Sequence, residues 1–333
     1  MPSALDLAYL GAEAVPAYLE EHKGRVLGLV AFGAAKGVTG EPMLPAPVLV
    51  DIPVLGSGGA SFEVWTSSRP VIPCGAGNIA AHTDGEVLFG AMRLEQTADA
   101  TLEALSRQAY LEIFSFLDRQ RCRSLLRVWN YLPRINQPED GLERYRCFNK
   151  GRHEAYVASG RDISADNVPA ASVLGCDGGP MVIYFLASSE PGKPIDNPRQ
   201  VAAYRYPERY GPRSPIFVRA MQTTSGRRPC LFVSGTASIV GHETLHEGNV
   251  GRQAVETMHN IRILLDQAGL AGTADGHMEL KIYVRHAQDM ERVREQVQDV
   301  LGAGDRSVYL RSDICRADLL MEIEAVQFGD TRP

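Results

Sequence analysis

The chain alternates short hydrophobic runs with longer segments in which hydrophobic residues recur every three or four positions. Short runs bounded by Gly and Pro predict strands, whereas the three-to-four repeat predicts helices that bury one face. In the first half, strands are predicted at 25–32, 47–54, 61–65, 87–94 and 125–135, and helices at 97–121 and 138–156.

The second half repeats this order of elements without repeating the sequence. Strands are predicted at 229–240, 278–284, 307–310 and 319–328, and helices at 250–268 and 289–301. Asn249 is a favourable N-cap for the first of these helices, and Gly269 favours its end. The segment 188–226, rich in Pro, Arg and Tyr, is predicted to be an ordered loop.

The repeated order predicts an α+β protein made of two similar fused units. Each unit is a mixed β-sheet with helices packed on one face. The predicted domains are 1–190, which includes an N-terminal strand extension, and 191–333.

Composition and charge exclude several functional classes. The 333 residues include 40 acidic and 34 basic side chains, so the net charge of −6 provides no basic surface for nucleic acid. No hydrophobic stretch reaches the ~20 residues that a membrane helix needs. The N-terminal sequence lacks a secretory signal, and the six cysteines form no CxxC pair. We therefore expect a cytoplasmic protein with free thiols.

Two sequence motifs resemble known binding sites but lack the context that those sites require. His242, Glu243 and His246 spell the HExxH of zinc proteases, which functions only within a helix. Gly241 and Gly248 flank the motif closely, so we predict a loop and no metal. The sequence at 75–80 matches the dinucleotide pattern GxGxxA, but a turn follows it where a helix is needed.

Arginine and tyrosine cluster in the segment 204–213. Guanidinium groups bind carboxylates through paired hydrogen bonds, and tyrosine adds stacking area and a hydroxyl group. We predict that Tyr204, Arg205 and Arg213 bind a small dianion; a solvated loop is the alternative. Further candidates for the same site, with strand packing as their alternative, are Asn130, Arg134 and Tyr145. The segment 234–238, with Gly235, suits a backbone that approaches a ligand closely.

Two glutamates lie in the last predicted strand. Glu322 and Glu324 are two residues apart, so they share one face of that strand. A carboxyl group in a partly dry cleft has a raised pKa and can act as a general acid. The alternative is an ordinary solvent-facing edge.

Several segments carry a resemblance to known families. Arg311, Cys315 and the sequence MEIEAV at 321–326 resemble the closing motif of the Rid imine deaminases, where an arginine and VEIEAIA line an inter-subunit cleft. VWNYLPRIN at 128–136, YGPRSPIFVRA at 210–220 and SGTASIVGH at 234–242 resemble the chorismatases. The resemblance covers about 90–330.

The resemblance implies two fused Rid/chorismate-mutase-like units and an enzyme that cleaves chorismate without a metal or organic cofactor. The products would be pyruvate and a hydroxybenzoate: 3-hydroxybenzoate, with 4-hydroxybenzoate left open. Glu322 matches the family's general acid. Cys315 matches a position where cysteine is typical of hydroxybenzoate-forming members and alanine of dihydrodiol-forming ones.

The resemblance leaves other properties open. Rid modules commonly trimerise, so a homotrimer and a monomer both remain alternatives. An imine or enamine deaminase and a non-catalytic module for a small ligand are the alternative functions. No nucleic acid or membrane partner is expected.

Overall fold

The computed structural model describes most of the chain as three main β-sheets with helices packed against them. The described residues are 5–33, 45–56, 61–97, 99–223, 228–271, 276–302 and 304–329. None of the helices in these ranges is long and apolar enough to cross a membrane.

The N-terminal extension is a four-stranded sheet with one short helix. Its elements are β1 (Leu5–Gly11), α1 (Val15–Glu21), β2 (Val26–Phe32), β3 (Val48–Val50) and β4 (Ser61–Ser67). The strand order is β1-β4-β2-β3, and all residues of β2 are buried. The sequence predicts β2, β3 and β4 but not α1, because Val15 is the only buried residue of that helix and no hydrophobic repeat results.

The second sheet and two helices form the first of the two similar units. Its elements are β5 (Ile72–Pro73), β6 (Ala80–Thr83), β7 (Val87–Leu94), α2 (Leu102–Asp118), β8 (Ser124–Pro133), β9 (Pro138–Glu139), β10 (Leu142–Glu143), α3 (Arg144–Ala158), β11 (Ala170–Cys176) and β12 (Met181–Ser188). The sheet order is β11-β8-β12-β7-β6-β5, with β11 and β8 parallel. Helices α2 and α3 approach closely at Gly151, where a Cβ atom would lie 2.0 Å from the Glu103 carbonyl oxygen.

The third sheet and two further helices form the second unit. Its elements are β13 (Lys193–Ile195), β14 (Ala220–Thr223), β15 (Cys230–Thr236), β16 (Ile239–Val240), β17 (Glu243–Thr244), α4 (Val250–Ala268), β18 (His277–Val284), α5 (Met290–Gln298), β19 (Arg306–Arg311) and β20 (Met321–Phe328). The sheet order is β13-β14-β15-β20-β18-β19. The Asn249 side chain caps α4, and Gly269 ends it with a left-handed φ of 68°.

Strand β20 shows how the second unit is oriented. Met321, Ile323 and Ala325 belong to the hydrophobic core that the sheet shares with α4 and α5. The alternate residues therefore lie on the opposite face, where Glu324 forms a buried ion pair with Arg127 of the first unit. The α+β class with two similar fused units is confirmed, and the face between the units is where polar groups gather.

Two local predictions are wrong. The segment 138–156 is not one helix: Asp140 and Gly141 adopt positive φ values of 51° and 78°, which form a turn between β9 and β10, and α3 begins only at Arg144. The segment 188–226 is not all loop, because it contributes β13 and β14 to the edge of the third sheet. The predicted domain boundary at 190/191 falls between β12 and β13 and stays a prediction.

Candidate active site

A cavity of about 420 Å³ lies where the two units meet. The first unit contributes residues 171–173 of β11 and side chains at the start of α3. The second contributes Gly235 of β15, residues 315–319 and Glu322 of β20. A third wall comes from the segment between β13 and β14 of the second unit, through Tyr206, Arg209, Tyr210, Pro215, Phe217 and Arg219. The cavity therefore requires both units.

Glu322 places a buried carboxyl group in the wall of this cavity. Its side chain is 4% exposed and has no hydrogen-bond partner among the described residues. Burial raises the pKa of Glu322 to about 8; the charge of Glu324 adds to the rise, and Arg127 partly opposes it. The carboxyl group is therefore protonated at neutral pH and able to donate its proton.

Gly235 allows Glu322 to occupy this position. A Cβ atom on residue 235 would lie 2.0 Å from the Oε1 atom of Glu322 and 3.1 Å from the Ser172 Cβ. Strand β15 is irregular here, since its register with β20 shifts between Val233 and Thr236. The missing side chain thus creates the space into which the carboxyl group extends.

Cys315 and Tyr145 lie in the cavity wall as neutral groups. Burial raises the pKa of the Cys315 thiol to about 12, and the charge of Glu322 adds to this effect. Burial also raises the pKa of Tyr145 above its usual value, with a smaller contribution from Cys315. Both side chains therefore offer a neutral S–H or O–H group rather than an anion.

The cavity also has a cationic side, formed by Arg146, Arg209, Arg219 and Arg316. Arg219 is 5% exposed and donates from Nη2 to the Val201 carbonyl oxygen (2.6 Å) and to the Tyr206 hydroxyl oxygen (2.8 Å). Its Nε–H group has no hydrogen-bond partner in the part of the chain that the structure describes. A buried donor without a partner is costly, so Arg219 is suited to an anionic ligand.

Arg316 is held by aromatic rings. Its guanidinium carbon lies 4.0 Å from the centre of the Tyr210 ring and 5.2 Å from that of Tyr206. Its Nη1 group donates to the His242 carbonyl oxygen at 2.9 Å. These contacts fix the plane of the guanidinium group and leave its remaining donors for a ligand.

The structure brings together four of the residues singled out in the sequence: Glu322, Cys315, Tyr145 and Gly235. Arg205 and Arg213 are exposed and are not part of the cavity wall, and the Arg205 guanidinium lies 5.8 Å from the Tyr204 ring centre. Their binding roles stay predictions.

The other two candidates lie outside the cavity wall. Asn130 is fully buried; it accepts a hydrogen bond from the Tyr110 hydroxyl and donates to the Ser172 carbonyl oxygen at 2.9 Å. Arg134 is exposed, and its backbone N–H bonds to Cys176 at 2.7 Å with a positive φ of 54°. Asn130 thus supports Ser172 from behind, and Ser172 itself is a wall residue that no sequence motif indicates.

Neither rejected motif forms the helix that its function requires, although the first contains a short strand where the sequence predicts a loop and a strand directly follows the second where the sequence predicts a turn. Glu243 of HExxH lies in β17, which pairs with β16, so the histidines do not share a helix face. Within the described ranges, no group of three or more His, Cys, Asp or Glu side chains is placed to hold a metal. In the GxGxxA segment, Ala76 and Ile79 close a turn that leads into β6.

Comparisons with known proteins show what the chain is similar to. The family model described as chorismatase FkbO/Hyg5-like, N-terminal, matches residues 63–187. A 3-hydroxybenzoate synthase of Streptomyces hygroscopicus is 39% identical over 277 residues, which cover 79% of this chain and 80% of that protein. A chorismatase of Streptomyces rapamycinicus is 37% identical over 278 residues, which cover 79% and 81%.

A solved structure extends the similarity to the whole fold. A crystal structure of a chorismatase superposes on this chain with a TM-score of 0.85 at 30% identity, covering 98% of this chain and 99% of that one. Fold and cavity together define an enzyme with a buried acid between two fused α+β units. The chain belongs to the chorismatase family.

Proposed function

We propose that this enzyme cleaves chorismate into pyruvate and 3-hydroxybenzoate by protonating the methylene carbon of the enolpyruvyl ether. The observation that carries the proposal is the buried Glu322 carboxyl group in a cavity with a cationic side. An enol ether needs only an acid to become labile, because its oxygen stabilises the cation that protonation creates. A general acid whose pKa lies near the working pH is the most effective.

The reaction balances without a co-reactant. The proton of Glu322 adds to the methylene carbon, the bond between the ether oxygen and the ring carbon breaks, and its electron pair stays with the oxygen as pyruvate leaves. The neighbouring hydroxyl oxygen of the substrate bonds to the electron-poor ring carbon, and its bond to the carbon that first carried it then breaks, so the oxygen moves by one ring position. Loss of a ring proton then completes the aromatic ring and balances the proton that Glu322 supplied. No water is consumed.

We assign the exclusion of water to Cys315 together with the apolar part of the wall. The neutral thiol lies in the segment that precedes β20, close enough to Glu322 that the charge of that carboxyl group affects its pKa. A thiol is a weak hydrogen-bond donor and does not hold water well. A dry pocket favours capture by the hydroxyl group of the substrate over hydration.

We assign the two substrate carboxylates to the cationic side of the cavity, with Arg219 and Arg316 as the principal donors. Arg219 has an unpaired buried N–H, and Arg316 is held in place by Tyr206 and Tyr210. One carboxylate belongs to the ring and the other to the enolpyruvyl side chain, so they require donors from two directions, which these two arginines supply from different segments of the chain.

The experiment that tests this function incubates the purified protein with chorismate. Pyruvate is measured by a coupled dehydrogenase assay, and the aromatic products are separated by chromatography, which also quantifies 4-hydroxybenzoate. We expect equal amounts of pyruvate and hydroxybenzoate. A folded protein that releases no pyruvate would contradict the proposal, and ammonia release from an imine would then indicate the deaminase alternative.

A further inference from the structure

A buried ion network lies directly behind the cavity and is centred on Glu324. The Glu324 carboxylate accepts hydrogen bonds from Arg127 Nη2 (2.6 Å), Trp129 Nε1 (2.7 Å) and Ser172 Oγ (2.7 Å). The Lys281 ammonium group lies 2.6 Å from its Oε1 atom. All five side chains are buried. Glu324 is therefore bound on both oxygens by donors from both units.

The network continues into the N-terminal extension through Lys281. The Lys281 Nζ atom lies 2.7 Å from Glu63 Oε2, and Glu63 also accepts from Trp65 Nε1 at 2.6 Å. Tyr184 accepts from Lys281 at 2.7 Å and donates to Glu63 at 3.0 Å. Two cations thus face two carboxylates, and each cation is already paired.

These partners keep Glu324 ionised. Burial alone would raise the pKa of Glu324, but the charges of Lys281 and Arg127 outweigh burial and hold that pKa below its usual value. Protonation of such a carboxylate would remove its attraction to both cations and weaken its hydrogen bonds, so it is unfavourable. The pKa of Glu324 therefore lies below that of Glu322, so Glu324 is ionised while Glu322 still holds its proton.

The surroundings of Glu322, two residues away on the same strand face, are the opposite. The groups that face it are Glu324 on its own strand, Tyr283 at the paired position of β18, Arg127 on β8, Ser172 on β11, Tyr145 on α3 and Cys315 in the preceding segment. Arg127 is the one cation among these described neighbours, and it is already paired with Glu324. None of these neighbours therefore offers an unpaired cation to a Glu322 carboxylate.

We propose that Glu324 is a positioning residue for the proton of the acid: its fixed charge, held by Lys281 and Arg127, keeps the proton on Glu322 until substrate takes it. Alternate residues of a strand lie about 7 Å apart, a distance at which two charges repel strongly in a buried site. After proton transfer the same repulsion makes the Glu322 carboxylate unstable, which drives the return of a proton. The proposal rests on the proposed function only for the identity of the proton acceptor.

The direct test is a ¹³C NMR titration of the glutamate side chains in the full-length protein, with the Glu322 signal assigned by its loss in Glu322→Gln. In wild type we expect a midpoint near 8 for Glu322, whereas Glu324 stays ionised through neutral pH. In Glu324→Gln the Glu322 midpoint falls by at least about one pH unit, because a like charge is removed and two cations remain.

Glu63→Gln is the matched control. It also removes one carboxylate from the network, but Glu63 is not among the charges that shift Glu322. In the Glu63→Gln variant, the titration midpoint of Glu322 should stay within a few tenths of a pH unit of the wild-type value. An equal shift in both variants, or no shift in Glu324→Gln, overturns the proposal. If Glu324→Gln does not fold, the wild-type titration alone decides: a Glu324 that titrates together with Glu322 overturns it as well.

A kinetic measurement separates this inference from the proposed function. Activity requires protonated Glu322, so kcat/KM with chorismate falls as pH rises through the pKa of Glu322. Glu324→Gln moves that fall to lower pH, whereas a merely structural change lowers kcat/KM equally at every pH. A wild type that releases no pyruvate contradicts the function, while the NMR titration still decides the role of Glu324.

Discussion

The last strands of the two units occupy equivalent places but carry different chemistry. Strand β12 lies between β7 and β8, and β20 lies between β15 and β18. Val182 of β12 pairs with Tyr131 of the neighbouring strand β8, and Glu322 of β20 pairs with Tyr283 of the neighbouring strand β18. In both units, therefore, the second residue of the last strand faces a tyrosine. Where the second unit has its acid, the first has valine.

The difference extends to the next position on the same face. Tyr184 pairs with Trp129 in the first unit, and Glu324 pairs with Lys281 in the second. The backbone arrangement is thus shared, whereas the side chain that we propose as the general acid is carried only by the second unit. The first unit contributes the opposite wall of the cavity instead.

Removing the acid from the second unit should have the largest effect. We expect Glu322→Gln to lower kcat by at least ~10² while KM changes little, because the amide keeps the shape of the side chain but donates no proton to carbon. Pyruvate release measures the effect. Glu279→Gln is the control: burial also raises the pKa of Glu279 to about 8, but Glu279 lies outside the cavity wall, so activity should persist. Wild-type turnover in Glu322→Gln would remove the acid assignment.

Filling the space beside the acid should have the next largest effect. Gly235→Ala places a methyl group 2.0 Å from Glu322 Oε1, so the carboxyl group must move. Misplacing a reacting group by about 1 Å can cost ~10² in rate. We expect kcat to fall by roughly that factor. Gly178→Ala, where an added Cβ atom meets no atom within 4 Å, should leave kcat unchanged. Equal rates for the two variants would show that the close approach is unimportant.

The cationic wall can be tested by comparing two arginines. Arg219→Gln should raise KM by a factor that corresponds to a loss of about 1.5–3 kcal/mol in binding free energy, the usual cost of a lost charge-assisted hydrogen bond. The effect on kcat should be smaller. Arg213→Ala should change KM less, because Arg213 is exposed and outside the cavity wall. Steady-state kinetics with chorismate decide between them, and thermal melting shows whether each variant is folded. A larger KM effect at Arg213 would favour the assignment that the sequence alone suggests.

The smallest effect on rate is expected at Cys315. Cys315→Ala should leave pyruvate release largely intact but shift the products from hydroxybenzoate toward the non-aromatic diol. The smaller side chain makes room for water in the cavity. Chromatography of the products measures the ratio, with Cys176→Ala as a buried-thiol control outside this cavity. An unaltered hydroxybenzoate fraction would mean that Cys315 only fills space.

The sequence predicts the regular elements well where local signals agree. The bounds predicted for α4 match the structure because Asn249 and Gly269 mark its two ends and the hydrophobic repeat fills the interval. The helix predicted at 138–156 starts too early because hydrophobic spacing does not reveal that Asp140 and Gly141 form a turn.

The site is only partly predictable for a different reason. Glu322 and Cys315 lie in one recognisable segment, whereas Ser172 reaches the cavity from the other unit, 150 positions earlier in the chain. The arginine cluster at 204–219 is visible in the sequence, but its spacing does not tell which side chains face inward. Arg219 lines the cavity while Arg205 and Arg213 face solvent, and a 3₁₀ turn at Glu208–Tyr210 that hydrophobic spacing does not reveal lies between Arg205 and the other two.

The position of the cavity between two units of one chain has a consequence for how the enzyme responds to dilution. Subunits of an assembly separate when a protein is diluted, but two covalently joined units remain at a high effective concentration toward each other. The walls that carry Ser172 and Glu322 therefore meet at any enzyme concentration. Dilution therefore does not separate these two walls, and it does not lower the specific activity per chain by that route. A site formed by two separate subunits would lose activity when the subunits dissociate.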